Sequence, residues 1–221
     1  MKENIHKVEY EEKFVCFVDI LGFKDAIIHC EHKIFNRDPS YFYHALSTMR
    51  KPPNDLEMNN FKVTQFSDCV AISFPFSDHQ HIQLYMLINR IVELQQFLLE
   101  GALLTRGAVA KGTLFHDDSG IIFGPALIDA ILLGSNEKGN NPYPLVKIDS
   151  KLKDDINAFE LSNRMITSEH NFDYVEYIKY YPNNDPEQIK IIQEIIRYGL
   201  NHKCQGVRKK YEWLNIKWHE R

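Results

Sequence analysis

No stretch of the sequence reaches the roughly 18 consecutive apolar residues that a membrane span requires, and Met1 to His6 lack the apolar region of a secretory leader. These absences predict a soluble, cytoplasmic protein with no membrane partner. Basic blocks are missing before the C-terminal segment and the formal net charge is −4, which argues against a nucleic-acid coat. Cysteine is scarce. Cys16, Cys30, Cys69 and Cys204 have no C-x-x-C spacing, and two of them fall in apolar, strand-like runs, so they read as reduced residues rather than zinc ligands or disulfides. The histidines lack H-x-x-x-H spacing, and none is assigned to a metal.

Among what is present, the run Phe14-Val15-Cys16-Phe17-Val18-Asp19-Ile20 stands first. Five apolar residues lead into one carboxylate, and Leu21-Gly22-Phe23 then opens a helix. Such a run reads as a strand buried on both faces. An aspartate at its end is costly unless a positive group meets it, and the neighbouring sequence supplies no lysine or arginine. A metal ion is the natural partner expected there. Further on, Phe61–Phe66 and Cys69–Phe74 flank Ser67-Asp68, a hairpin pattern that puts Asp68 at its tip. Pairing this hairpin beside the first strand brings Asp19 and Asp68 together, and two carboxylates suit hard divalent cations. Read singly, Asp68 is also a turn residue and Asp19 also a helix N-cap.

In chain order, residues 1–12 are charged and read as an arm or short helix, and residues 13–20 as the first strand. Residues 22–33 read as a helix facing inward with Phe23, Ala26, Ile27 and Cys30, and residues 39–50 as a second after Asp38-Pro39. Lys51 to Asp55 is a loop by composition. The helix 79–100 carries an apolar stripe of Ile82, Tyr85, Met86, Asn89, Val92, Leu94, Phe97 and Leu98, and Gly101 stops it. Ala102–Ala110 is the next strand. The order β-α-β-β-α-β is that of the ferredoxin-like split unit, so the expected fold class is α+β with that core, a superfold silent about function by itself. RNA-binding domains of the RRM type share the order but place aromatics in a glycine-rich strand signature, and 102–110 has none.

Asp117-Asp118-Ser119 reads as the loop of a second hairpin, Gly124-Pro125 as the start of an apolar helix, 134–141 as a loop and Pro144–Asp149 as a further strand. Beyond residue 150 the reading is mainly helical. One helix follows Asp185-Pro186 with Ile189, Ile192, Ile195, Ile196 and Leu200, and a last one, basic and aromatic, turns its two tryptophans inward.

Phe17-Val18-Asp19-Ile20-Leu21-Gly22-Phe23, Phe66-Ser67-Asp68, Arg106 to Gly112 and Ile122 to Ala126 together resemble the ordered blocks of a class III nucleotide cyclase catalytic domain. The likeness covers residues 13–150, with 1–12 as an N-terminal arm and 151–221 as a C-terminal extension packed on the core. Within that superfamily the sequence is most similar to the pyrimidine (uridylate or cytidylate) cyclases of bacterial Pycsar antiphage systems. The resemblance implies conversion of UTP or CTP to a 3′,5′-cyclic monophosphate by a head-to-tail homodimer with two divalent cations, Mn²⁺ or Mg²⁺. It assigns the metals to Asp19, Asp68 and the Ile20 carbonyl, and the triphosphate to the N–H groups of Leu21, Gly22 and Phe23. Thr64 and Ile121 stand where purine cyclases keep base-reading charges. Ile128 and Leu132 stand where a ribose-orienting asparagine and a transition-state arginine are expected. Gly134 and Leu145 take the places of a glutamate and an arginine usual in the pyrimidine enzymes. Arg106 is the candidate replacement for the missing arginine, with Lys111 and Lys147 behind it. A catalytically degenerate homology module that binds nucleotide or only dimerises is the alternative.

Overall fold

The protein is described by a computed structural model, which covers residues 8–28, 39–50, 61–76, 80–135, 142–159, 165–169, 171–182 and 185–221. The elements run β1 (Glu11–Ile20), α1 (Phe23–Ile28), α2 (Pro39–Arg50), β2 (Lys62–Phe66), β3 (Cys69–Pro75), α3 (Gln80–Glu100), β4 (Thr105–His116), β5 (Ile122–Phe123) and α4 (Pro125–Gly134). They continue with β6 (Val146–Ile148), a short 3-10 turn (Ser150–Leu152), α5 (Lys153–Ala158), β7 (Ile166–Glu169), β8 (Phe172–Val175), α6 (Pro186–Leu200) and α7 (Gln205–Glu220). The fold is mixed α+β around an eight-stranded mixed sheet. Its order is β2-β3-β1-β4-β6-β8-β7, with β5 paired to β4. The neighbours among β2, β3, β1 and β4 are antiparallel, and β6 joins β4 in parallel. No described helix is long and apolar enough to cross a membrane.

β1 lies at the centre because both of its faces have somewhere to bury. Phe14, Cys16, Val18 and Ile20 join the main core with α3, and each large apolar side chain buried there contributes about 1.5–3 kcal/mol. Val15, on the opposite face, packs with Ala110, Leu114, Ala126 and Ala130, the last two from α4, and Phe17 leans on the same cluster. The period of two therefore turns Asp19 to the face that carries α4.

Several boundaries differ from the sequence reading. Glu11 and Glu12 belong to β1, not to an arm, because β4 is long enough to pair with them at Leu114 and Thr113. The strand expected from Ala102 starts at Thr105. The Ala102 N–H donates to the Leu99 carbonyl at 2.8 Å and the Leu103 N–H to the Leu98 carbonyl at 2.9 Å, closing the C-terminus of α3 in a Schellman motif. Ala102, at φ 56°, takes the left-handed position there. Along α3 the buried stripe is Leu84, Leu87, Ile88, Ile91, Leu94 and Leu98, whereas Ile82, Tyr85 and Phe97, expected inside, are exposed, as is Ile27 in α1. Expectations for Cys30, Asp38 and the 51–55 loop fall outside the described residues. From the region beyond 150, β7 and β8 extend the same sheet, while Trp213 and Trp218 are buried as expected.

α4 crosses β4 at close backbone range. A Cβ at Gly134 would lie 2.5 Å from the Gly107 carbonyl carbon, so neither position has room for a side chain. That steric fact accounts for glycine at 134. Gly134→Val is expected to cost about 2–4 kcal/mol by overpacking against backbone, read as a lowered urea midpoint. A midpoint unchanged from wild type rules out the tight crossing.

Candidate metal centre

Asp19 ends β1 directly opposite Cys69 on β3 and Arg106 on β4. The hairpin tip folds back at Ser67, whose φ of 55° makes the turn, and the Ile20 N–H donates to the Asp68 carbonyl at 3.2 Å. Ligand atoms from Asp19, Asp68 and Cys69 all lie within 4.8 Å of one another. The three half-buried side chains form a cluster that could hold a metal ion. Two carboxylates this close favour a cation between them.

The expectation that no cation stands beside Asp19 is corrected here. Arg106 donates to its Oδ2 through Nε at 3.2 Å and forms an ion pair with it, Nη2 lying 3.1 Å away. The Cys69 thiol donates to Oδ1 at 3.3 Å. Burial, with Asp19 next to it, pushes that thiol up to about 12, so as it stands it is a protonated donor to Asp19. Reading Cys69 as a core residue missed this role. Both oxygens of Asp19 thus have partners, and a cation there shares that carboxylate with Arg106 or displaces it. Asp19 and Asp68 offer hard oxygen ligands, and Cys69 a sulfur beside them.

Gly22 bends the chain at φ +71°, with nothing within 4 Å of where a Cβ would stand. The Leu21 N–H, one of the three expected to cradle phosphates, donates instead to the Leu104 carbonyl at 2.7 Å. The Gly22 and Phe23 N–H groups have no acceptor among the described residues. Phe23 buries its ring edge-on against Phe42, their centroids 5.5 Å apart. Beside the bend opens a cavity of about 880 Å³. Leu21, Gly22 and Leu104 line one side, and Arg197, Lys203 and Lys210 of the α6–α7 region the other.

No family model matches this chain, and no curated protein does either. Its function has to be read from the site itself.

The other positions singled out in the sequence lie elsewhere. Thr64 is buried, its hydroxyl donating to the Gly120 carbonyl at 2.8 Å and meeting His116 Nε2 at 2.9 Å. Ile121 is exposed on the turn before β5, and Ile128 and Leu132 are exposed on α4. Lys111 is tied to Asp155 at 2.9 Å and lies over the Phe76 ring. Lys147 is buried over the ring of Phe172. Leu145 is fully buried. Asp117 and Asp118 are turn acids, Asp117 bonded to Ser119 and Asp118 to Lys62.

Proposed function

We propose that this chain is a metal-dependent pyrimidine nucleotide cyclase of the class III type, acting in antiphage signalling. The observation that carries the reading is the meeting of the Asp19 and Asp68 carboxylates at the end of β1, beside the left-handed bend at Gly22. The order β2-β3-β1-β4, all neighbours antiparallel, supports a ferredoxin-like core under that site.

Asp19 and Asp68 hold the cations, with the Ile20 carbonyl as a third ligand. Two bound Mn²⁺ or Mg²⁺ ions supply acidification of the ribose 3′-hydroxyl and charge neutralisation at the phosphates. The 3′-oxygen attacks the α-phosphorus in line, the α–β anhydride bond breaks, pyrophosphate leaves and the 3′-proton goes to solvent. Arg106, held against Asp19, is the cation assigned to take charge from the reacting phosphates. Thr64 and Ile121 carry no charge for reading a purine, which favours UTP or CTP.

Incubating the protein with each of the four NTPs and Mn²⁺ is expected to give cyclic UMP or cyclic CMP by mass spectrometry. No cyclic product from any NTP ends the enzyme reading. The degenerate-module alternative takes over in that event, since Arg106 already neutralises Asp19 and apolar residues stand at 128 and 132.

A homodimer is part of the same proposal. Ile128 is 57% exposed and Leu132 48%, next to exposed Ile131 and Phe123, an apolar face more typical of an interface than of free surface. By light scattering the wild type is expected to run as a dimer, and the Ile128→Asp/Leu132→Asp double variant as a monomer with its cyclase activity lost. A variant that remains dimeric removes α4 from the interface.

A further inference from the structure

The cavity beside Gly22 has walls of unlike chemistry. Its floor is mostly apolar, formed by Leu21, Ala26 and the 102–104 turn, with the Asp25 carboxylate among them. Its roof, from the junction of α6 and α7, is predominantly cationic: Arg197, Lys203 and Lys210 line it beside one carboxylate, Glu194. Arg197 lies 3.9 Å from Glu194, but Lys203 and Lys210 have no carboxylate within ion-pair distance among the described residues. Lys210 is half-buried, so its charge is only partly solvated. It also feels the charges of Arg106 and Asp19, which themselves lie outside the cavity lining. Burial, and the Arg106 cation after it, hold its pKa below the ordinary lysine value. Two uncompensated cations facing a bend with two unused N–H groups are a mould for an extended anion.

We propose that Lys210 and Lys203 clasp the phosphate chain of the nucleotide against the Gly22 bend, so that the C-terminal helices form half of the phosphate site within one chain. The proposal rests on the nucleotide reading above and adds to it the residues that hold the leaving pyrophosphate. Lys210, nearer the carboxylates, takes the phosphates next to the breaking bond. Lys203, at the exposed rim, takes the chain's far end. The volume of about 880 Å³ suits a nucleoside triphosphate. The region beyond residue 150 then becomes part of the site, where the sequence placed only packing.

Calorimetric titration with inorganic tripolyphosphate, in EDTA, tests the clasp without the chemistry. The wild type is expected to bind. Lys210→Ala and Lys203→Ala are expected to weaken binding about tenfold or more each, as for lost charge-assisted hydrogen bonds. Lys210→Arg, which keeps the charge and guards against a folding artefact, retains most of it. No binding by wild type, or binding as tight as wild type by both alanine variants, overturns the proposal. The two readings fail separately. Cyclic product at unchanged KM and kcat in Lys210→Ala sinks the clasp and spares the cyclase. Lysine-dependent tripolyphosphate binding without product from any NTP sinks the cyclase and spares the clasp.

Discussion

Asp68→Ala is expected to lower cyclic-nucleotide formation by at least about a thousandfold, equivalent to roughly 4 kcal/mol of transition-state stabilisation lost with the cations. The side chain belongs to a two-residue turn whose structural contact with β1 is made by its backbone carbonyl, to the Ile20 N–H. Removing the carboxylate therefore leaves the hairpin standing, and the thermal midpoint should move little. Asp19→Ala is expected to be as inactive but harder to read, because it also strips Arg106 of its partner and leaves a guanidinium only 25% exposed without a counter-ion. Asp68→Asn separates charge from shape: it fills the same space and should be nearly as inactive. Product rates measured with saturating Mn²⁺ decide the matter. An Asp68→Ala enzyme working at the wild-type rate would remove the carboxylate pair from the chemistry, however well placed it is.

The legible part of this site was the part written in local pattern. An apolar run ending in Asp19 identifies a central strand, since both of its faces must be covered, and β1 is covered by α3 on one side and α4 on the other. The Ser67-Asp68 break between two alternating segments identifies a hairpin tip. What local pattern could not give was register. The Asp19–Arg106 pair joins residues 87 apart, and only the alignment of β1 on β4 puts them opposite one another. Cys69 joined the cluster for the same reason, one antiparallel pairing away from Asp19. The two strands β7 and β8 have four residues each, too short for alternation to speak, and their place is set by pairing with β6. Lys210 reads only as part of the basic and aromatic last helix, and no local pattern singles out Lys203. Their nearness to Gly22 comes from the packing of α6 and α7 on the main core, through Ile192, Ile195, Ile196 and Leu214.

Acid is expected to destabilise the fold through His116, the end of β4. The ring is buried and its two nitrogens are spoken for. Thr64 spends its hydroxyl proton on the Gly120 carbonyl, so it can only accept from His116 Nε2–H, at 2.9 Å. Nδ1 is then the acceptor for the Ser73 hydroxyl, at 2.8 Å. This chain of bonds needs the neutral ring. Burial first, then the cations of Lys13 and Lys62, push its pKa down to about 4 from 6.5. Between those values the unfolded chain binds a proton that the folded one refuses. Stability is therefore complete above about pH 6.5 and falls as the pH drops towards 4. The full shift is worth about 3 kcal/mol, of which about 2 should be gone by pH 5, before most carboxylates titrate. Urea unfolding at pH 7 and pH 5 measures the loss. His116→Gln, less stable at pH 7 but without the titrating ring, should lose correspondingly less over the same interval. Equal losses in the two proteins would mean that His116 is charged or hydrated in the fold. The consequence reaches the proposed interface, because the Thr64–His116 pair pins the β4–β5 turn, with Ile121 and Phe123 on it, to β2. That turn should loosen, and the dimer with it, as the pH approaches 4 and the folded ring takes up its proton.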